Sequence, residues 1–211
     1  MRIHSIIGAV TAGGLLTATA LIAATPAQAA PARALGTTSL AEVLGADGQK
    51  FDSKGGDFDI VEAAVYAVAG AKPKSPVLIL ADGTKRATAF APTDRAFRRL
   101  VEDLTGKSYA SEAKVFSTLA GLVDIDTLET VLLYHVVPGA TITSAQAAKS
   151  NGAKLTTAAG VKLTVKVKNG HVMLVDKDPD AKNATVVTAD INKGNKQIAH
   201  GIDAVLRPID L

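Results

Sequence analysis

The sequence predicts an α+β fold, with helices and a partly exposed β-sheet in the same chain. Two kinds of pattern support this prediction. Apolar residues recur at the spacing of an amphipathic helix in four segments, 58–69, 93–104, 111–122 and 126–135. Further along, apolar residues alternate with lysine and threonine over 161–168, which is the two-residue period of a strand with one buried face.

The boundaries of the helices follow from capping and stop residues. Ser, Thr and Asp side chains can accept hydrogen bonds from the free N–H groups of a first turn, whereas Gly and Pro favour termination. The predicted helices are a short one between Ser39 and Gly45, Phe58–Ala69 between Asp57 and Gly70, one from Thr93 or Asp94 to about Leu104, Ser111–Leu122, Asp126–His135 and a short one over Thr143–Lys149.

The strands are predicted from short apolar segments and from turn residues. An Asn169-Gly170 pair separates the alternating segment from His171–Val175, and such a pair supports the type I′ turn of a β-hairpin. Val77–Leu80 and Arg86–Phe90 flank Asp82-Gly83 and are predicted to form a second hairpin. The remaining predicted strands are Val136-Val137, Thr185–Thr188 and Ala204–Leu206.

The N-terminus resembles an export signal. Arg2 is followed by an apolar segment over Ile6–Ala24, and Ala27-Gln28-Ala29 has the small-residue pattern that a signal peptidase accepts. We expect a signal peptide over 1–29 and a secreted, extracellular chain that starts at Ala30. The alternative is a membrane anchor, since the segment is nearly long enough to span a bilayer, but the cleavage pattern and Pro31 argue against it.

Composition narrows the function classes. The chain has no cysteine, which excludes disulfides, thiol catalysis and cysteine-ligated metals. The net charge is only +3, tryptophan is absent and aromatics are 4%, so a nucleic-acid partner is not expected. No stretch after the signal is long and apolar enough for stable membrane insertion. The lysines are interpreted as a solvated surface.

Three stretches carry a resemblance to a known family. They are Thr88–Phe97 with Leu100 after it, Leu133–Gly139, and the pair Ala189–Ile191 and Ile198–Pro208. In this order and spacing they resemble the first box, the central Tyr-His segment and the second box of fasciclin domains. The chain is therefore divided into the signal, a lead-in segment over 30–56 and a single fasciclin domain over 57–211, in which Lys72–Arg86 departs from the family pattern.

The resemblance implies both a fold and a function. The implied fold has a β-sandwich-like core of short strands with helices packed at one side. The implied function is extracellular adhesion or surface binding, with a protein or glycan at a cell surface or envelope as partner. In animal members the Tyr-His and Asp-Ile segments are linked to integrin contact. The matching partner-binding positions here are Tyr134, His135, Asp190 and Ile191.

The residues themselves favour a structural role for the histidines. His135 and His200 sit at the ends of predicted elements, where a buried ring can satisfy backbone groups. No nucleophile or phosphate-loop motif occurs, and no spacing fixes two carboxylates together. A metal site built from His135, His171 and His200 is the less favoured alternative. Asp176–Asp180 resembles the start of a calcium loop but lacks its glycine and distal glutamate.

These observations leave three functional hypotheses. The first is a secreted, bacterial adhesion module, since an Ala-rich signal before a stand-alone domain is typical of bacteria. The second is a small-molecule binding protein with a pocket between the sandwich and the helices. An enzyme is the least favoured. We expect no catalytic residues, no metal and no cofactor.

Overall fold

The computed structural model describes residues 34–48 and 50–208 of the 211-residue chain. The signal peptide predicted over 1–29 lies outside the described residues. None of the helices within the described ranges is long and apolar enough to cross a membrane. In chain order the described elements are α1 Leu40–Leu44, a 3-10 helix Gly45–Asp47, α2 Asp59–Ala71, a 3-10 helix Pro76–Ala81, β1 Ala87–Pro92, α3 Asp94–Thr105, α4 Glu112–Leu122, α5 Ile125–Tyr134, β2 Val136–Pro138, α6 Ser144–Ala147, β3 Lys154–Thr156, β4 Lys162–Lys168, β5 His171–Val175, β6 Ala184–Ile191 and β7 Gln197–Ile202.

The strands form a mixed sheet in the order β2-β1-β7-β6-β5-β4-β3. β1 and β7 run parallel, with Ala87 beside Gln197 and Pro92 beside Ile202, and the other neighbours are antiparallel. The predicted α+β fold is therefore confirmed. The strands of the first and last family boxes lie side by side in the middle of the sheet.

The sheet curls until it is nearly a barrel. Leu163 of β4 and Leu174 of β5 belong to the same buried apolar cluster as Phe90 of β1, although the sheet order separates them. The backbone N–H of Ala158, in the β3–β4 connection, also donates to the Val136 carbonyl of β2 at 2.7 Å. The two ends of the sheet thus meet around this cluster.

The helices cover the outside of β1 and β7. Phe97 and Leu100 of α3, Leu119 of α4 and Ile60 of α2 form a second buried cluster with Ala199 of β7. Apolar side chains three or four positions apart on a helix share one face, which explains why these residues point toward the sheet. The prediction of helices packed at one side of the strands is confirmed.

The Asn169-Gly170 hairpin is confirmed. Lys168 pairs with His171, and both turn residues have the positive φ of a type I′ turn, 51° for Asn169 and 80° for Gly170. Residues 162–168 are strand throughout. Leu163 and Val165 face the barrel interior, while Lys162, Lys166 and Lys168 on the other face of the strand are exposed.

The predicted hairpin over Val77–Leu80 is wrong, because this segment is a 3-10 helix. Ser75 accepts a hydrogen bond from the Val77 N–H, and Pro76 occupies the first turn, where its missing N–H costs nothing. With three residues per turn, Val77 and Leu80 fall on one buried face. A short apolar segment does not by itself distinguish this geometry from a strand.

The last predicted strand is also placed wrongly. Ala204–Leu206 is irregular, and the strand is Gln197–Ile202 instead, because its partner is β1. The strand predicted over Thr185–Thr188 is confirmed within the longer β6. In α2 the helix runs through Gly70, and the cap predicted at Asp57 is not made by that residue.

The lead-in segment packs on the domain core. Leu40 is fully buried, and its N–H donates to the side-chain carbonyl of Gln197 at 2.8 Å. The Gln197 amide donates to the carbonyls of Ile79 and Asp82 at 2.6 and 2.9 Å. One buried side chain of β7 therefore holds both the lead-in and the 3-10 helix before β1.

Candidate functional site

His135 follows α5 and has a buried ring with both nitrogens hydrogen-bonded. Nε2 accepts the backbone N–H of Leu206 at 2.9 Å, so the ring hydrogen is on Nδ1, which lies 2.7 Å from the Val131 carbonyl. Burial lowers the pKa of the imidazole to about 4. The neutral ring ties the C-terminal segment to the end of the helix, as the sequence predicted for a structural histidine.

Tyr134 points to the other side of the chain, into the barrel. Its ring is fully buried in the same cluster as Phe90 and Leu206, and its hydroxyl lies 3.5 Å from the Lys162 carbonyl. Burial raises the pKa of the phenol to about 12. These adjacent residues thus stabilise different layers, Tyr134 the barrel and His135 the helical layer. Neither side chain is presented to solvent.

His200 connects the third family box to the first. Its ring stacks on Phe90 with centroids 5.9 Å apart, and Nε2 lies 2.8 Å from the Ile142 carbonyl. Nδ1 accepts the Asp190 N–H at 3.3 Å. The ring is buried within β7. His200 therefore positions the backbone of Asp190 at the end of β6.

Asp190 is held in a fixed conformation by its neighbours. Its φ of 59° is left-handed, and its carboxylate accepts hydrogen bonds from the Ser144 N–H and hydroxyl at 2.7 and 2.8 Å. Lys193 completes the contacts at 3.1 Å. Burial alone would raise the pKa of this carboxyl, but the hydrogen bonds from Ser144 and Lys193 outweigh it and lower the pKa.

The strand that leads to Asp190 is irregular and exposed. The register between β6 and β7 shifts between Val186 and Thr188 and again between Thr188 and Ile191, as at a β-bulge. Bulges redirect side chains, and Val187 is 56% exposed here. Ile191 is partly buried against the helical core. We call Val187–Asp190, of which the first three residues are exposed, the bulge segment.

The four partner-binding positions thus fall into two classes. Tyr134 and His135 are interior supports, so partner contact through their side chains stays a prediction that this arrangement does not favour. Asp190 and Ile191 lie at the edge of the bulge segment. The link between the two pairs runs through Phe90, whose N–H donates to the His135 carbonyl at 2.8 Å and whose ring stacks on His200.

Three carboxyl groups converge beneath α2, contrary to the expectation that no carboxylates are held together. One oxygen each of Asp57, Asp94 and Glu112 lies within 4.8 Å of the others. Asp94 caps α2 from the neighbouring helix, accepting from the N–H groups of Asp59 and Ile60 at 3.2 and 2.8 Å. Such a group could hold a proton or a hard cation.

The surroundings of this acidic cluster favour a shared proton. Burial, then the contact with Asp57, raises the pKa of Asp94 to about 8 in spite of the Ile60 N–H. Arg98 pairs with the buried Glu112 at 2.7 Å. Sequence analysis missed the cluster because its members come from a loop, α3 and α4. In the sequence, Asp57 and Asp94 were visible only as candidate caps of two separate helices.

The other acidic segment, Asp176–Asp180, is held in place by hydrogen bonds to its carboxylates. Asp178 is buried, accepts from the N–H groups of Asp180 and Ala181, and lies 3.4 Å from the Arg207 guanidinium. Asp176 accepts the Arg207 N–H at 2.8 Å. The carboxylates of Asp176 and Asp178 therefore hold the C-terminal segment at Arg207.

An apolar cavity of about 110 Å³ lies between α1, α2, the second 3-10 helix and β1. Its walls include Leu40, Val61, Val65, Leu80 and Phe90. Glu62 and Tyr66 are also among the lining residues, although the surface of the cavity is almost entirely apolar. Apolar walls are usual for a small-molecule site, and the cavity lies between strand and helices, where the second functional hypothesis would require a pocket.

Comparison with known proteins agrees with this arrangement. A family model described as fasciclin domain matches residues 74–208. Seventeen chains of solved structures are similar to the chain. One is the FAS1 domain pair from the insect cell adhesion molecule Fasciclin I, with 18% identity and a TM-score of 0.48, over 68% of this chain and 45% of that chain.

The chain spans less than half the length of that solved structure. No curated protein sequence matches it. The family model covers more than half of the residues, including the β1–α3 corner, the Tyr134-His135 segment and the β6–β7 pair described above. The chain therefore belongs to the fasciclin domain family.

Proposed function

We propose that this chain is a secreted extracellular adhesion module that binds a protein or glycan at a cell surface or envelope, and that it is not an enzyme. Fasciclin domains are associated with adhesion, and the export signal predicted at the N-terminus supplies the route out of the cell. The histidines and the buried carboxylates have structural partners that account for their positions.

The bulge segment is the observation that carries this proposal. Val187 is the most exposed large apolar side chain in the described part of the chain, and it lies three residues before Asp190, which is held by His200 and Ser144. A rigid, exposed apolar residue loses little conformational entropy when it is covered, which favours its use in an interface. Thr188 and Ala189 extend the same exposed surface.

The experiment compares two charge substitutions at exposed apolar positions. Val187→Glu should abolish adhesion of the purified protein to envelope from the source organism, whereas Leu122→Glu, at a 48% exposed position on α4, should not. Both variants should keep the wild-type melting temperature. Equal adhesion by the two variants would contradict the proposed surface, and a cytoplasmic location in cell fractionation would contradict secretion.

Small-molecule binding is the second candidate function, and the apolar cavity favours it. A dry apolar cavity of 150 Å³ is known to admit a benzene-sized molecule, so about 110 Å³ suits a small ring or a short alkyl chain. Ala69→Leu would fill the cavity, and the exposed Ala120→Leu on α4 is its control. If only Ala69→Leu removes thermal stabilisation by a small aromatic compound, the second function gains support.

A further inference from the structure

We propose that the outer face of β3, β4 and β5 binds an acidic polysaccharide that carries carboxylate or sulfate groups. This inference rests on the proposed surface-binding function and names a chemical class of partner for it. It concerns a surface on the opposite side of the sheet from the buried barrel cluster. It adds a binding role to the interpretation of the lysines as a solvated surface.

The strand geometry gathers the lysines on one face. Along β4, Leu163 and Val165 are buried in the barrel, so Lys162, Lys166 and Lys168 point outward, and all three are exposed. Two residues of strand advance about 6.7 Å, so the three lysines span about 20 Å of one row.

The neighbouring strands extend this basic face. Lys154 of β3 is exposed and pairs with Thr164, which places it between Lys162 and Lys166. On the other side, His171 of β5 is exposed opposite Lys168. We call Lys154, Lys162, Lys166 and Lys168 the lysine face.

No acidic residue neutralises the lysine face from within. β3, β4 and β5 contain no aspartate or glutamate, and none of these four lysines makes an ion pair with another described residue. The whole chain carries a net charge of only +3, so four unpaired cations on one face exceed the net surplus of the chain. Their mutual repulsion falls when a polyanion binds across them.

The shape and chemistry of the face favour an extended acidic glycan. A small anion would contact one or two lysines, whereas a polymer can follow a row of about 20 Å. Single-stranded nucleic acid sites combine basic grooves with aromatic stacking residues, and these strands offer no Phe, Tyr or Trp. A membrane surface would call for exposed large apolar residues beside the lysines, and Met173 is only partly exposed.

The test uses polygalacturonate and dextran sulfate as probes, with neutral dextran for comparison. Wild-type protein should bind both acidic polymers, with affinity that falls as salt rises, and should not bind dextran. Replacing all four lysines of the lysine face by Gln should weaken binding several hundred-fold, because each lysine near an anionic surface contributes a factor of about five. The four Lys→Arg replacements should retain binding.

A matched variant distinguishes the effect of losing the lysine face from the effect of losing net charge. Lys50, Lys74, Lys85 and Lys107 are exposed and lie outside the strands, so replacing these four by Gln removes the same charge. Binding within about 3-fold of wild type is expected for it. Equal loss in both Gln variants would overturn the proposal, as would tighter binding to single-stranded DNA or to anionic phospholipid vesicles than to the acidic polymers.

The adhesion function and the lysine-face inference can be contradicted independently of each other. Val187→Glu should leave polymer binding unchanged, because the bulge segment is in β6 and contributes none of the four lysines. If Val187→Glu removes envelope adhesion while polymer binding by wild type is absent, only the lysine-face inference is wrong. If polymer binding is present but wild-type protein does not adhere to envelope, only the adhesion function is wrong.

Discussion

The ring of His135 accepts the backbone N–H of Leu206 at 2.9 Å, a contact that joins residues 71 positions apart in the chain. The same ring holds the Val131 carbonyl of α5 through Nδ1. A side chain that satisfies two backbone groups in the interior cannot be removed without leaving both unpaired. The Tyr-His segment is therefore central to the fold before it is relevant to any partner.

Replacing His135 by Ala should lower the free energy of unfolding by roughly 1–3 kcal/mol, because the Leu206 N–H is left buried without an acceptor. Urea denaturation measures the change. The exposed His171→Ala, in the hairpin, is the control and should unfold like wild type. If His135→Ala kept full stability and yet lost partner binding, direct contact by this ring would be the better explanation.

Asp94 should make the protein less stable as pH rises from about 4 to about 8. In this range the folded carboxyl, with a pKa of about 8, keeps a proton that the unfolded chain releases near 3.8. The slope is at most about 1.4 kcal/mol per pH unit, and it ends above pH 8, where both states are ionised.

Asp94→Asn should remove this slope, since an amide can accept from Ile60 and donate toward Asp57 at every pH. Between pH 5 and pH 8 the free energy of unfolding should fall for wild type but not for the variant. Denaturation at both pH values measures this change. Asp82→Asn is the control, because the pKa of that exposed carboxyl is lowered by its bonds to Thr84 and it stays ionised across this range. A relative stability that does not change with pH would contradict the prediction.

Gly83→Ala should destabilise the protein by about 1–3 kcal/mol through overpacking. A Cβ at this position would lie 1.8 Å from the Thr37 carbonyl oxygen, so the lead-in segment must move. Gly121→Ala, in α4 with open space around it, should instead stabilise by roughly 0.5–1 kcal/mol. Thermal unfolding of both variants tests the pair, and similar shifts would show that the lead-in does not pack tightly there.

Gly170→Ala should cost about 1–2 kcal/mol through backbone strain alone. No atom lies within 4 Å of the added Cβ, but φ is 80°, which L-residues rarely adopt. Asn169→Gly, whose backbone also has positive φ, should be tolerated within about 1 kcal/mol. Chemical denaturation distinguishes the two, and equal losses would imply a contact at the Asn169 side chain.

What could be predicted from the sequence was what is encoded locally. The Asn169-Gly170 turn and the alternation beside it specify a hairpin without reference to the rest of the chain. The segment Val77–Leu80 was misassigned because a 3-10 helix buries residues three apart, a spacing that four apolar residues cannot distinguish from a strand. Strand β7 was displaced because its position depends on β1, more than a hundred residues earlier.

The candidate sites depended still more on tertiary contacts. Tyr134 and His135 were identified as important, but nothing in the sequence says that their side chains face inward. Asp57 and Glu112 come together only when α3 and α4 dock under α2. The lysine face needs Lys154, which is brought beside β4 by a pairing register that single-strand alternation does not reveal.

The parallel pairing of β1 with β7 also dictates when this chain can fold during synthesis. Residues 87–92 are synthesised before their partner strand β7 exists. Leu40 is made even earlier relative to Gln197, whose side chain accepts its N–H. Contacts this distant in sequence slow folding, because the loops between them must close first. The sheet of a nascent chain therefore cannot be completed until Ile202, the last residue of β7, has been made.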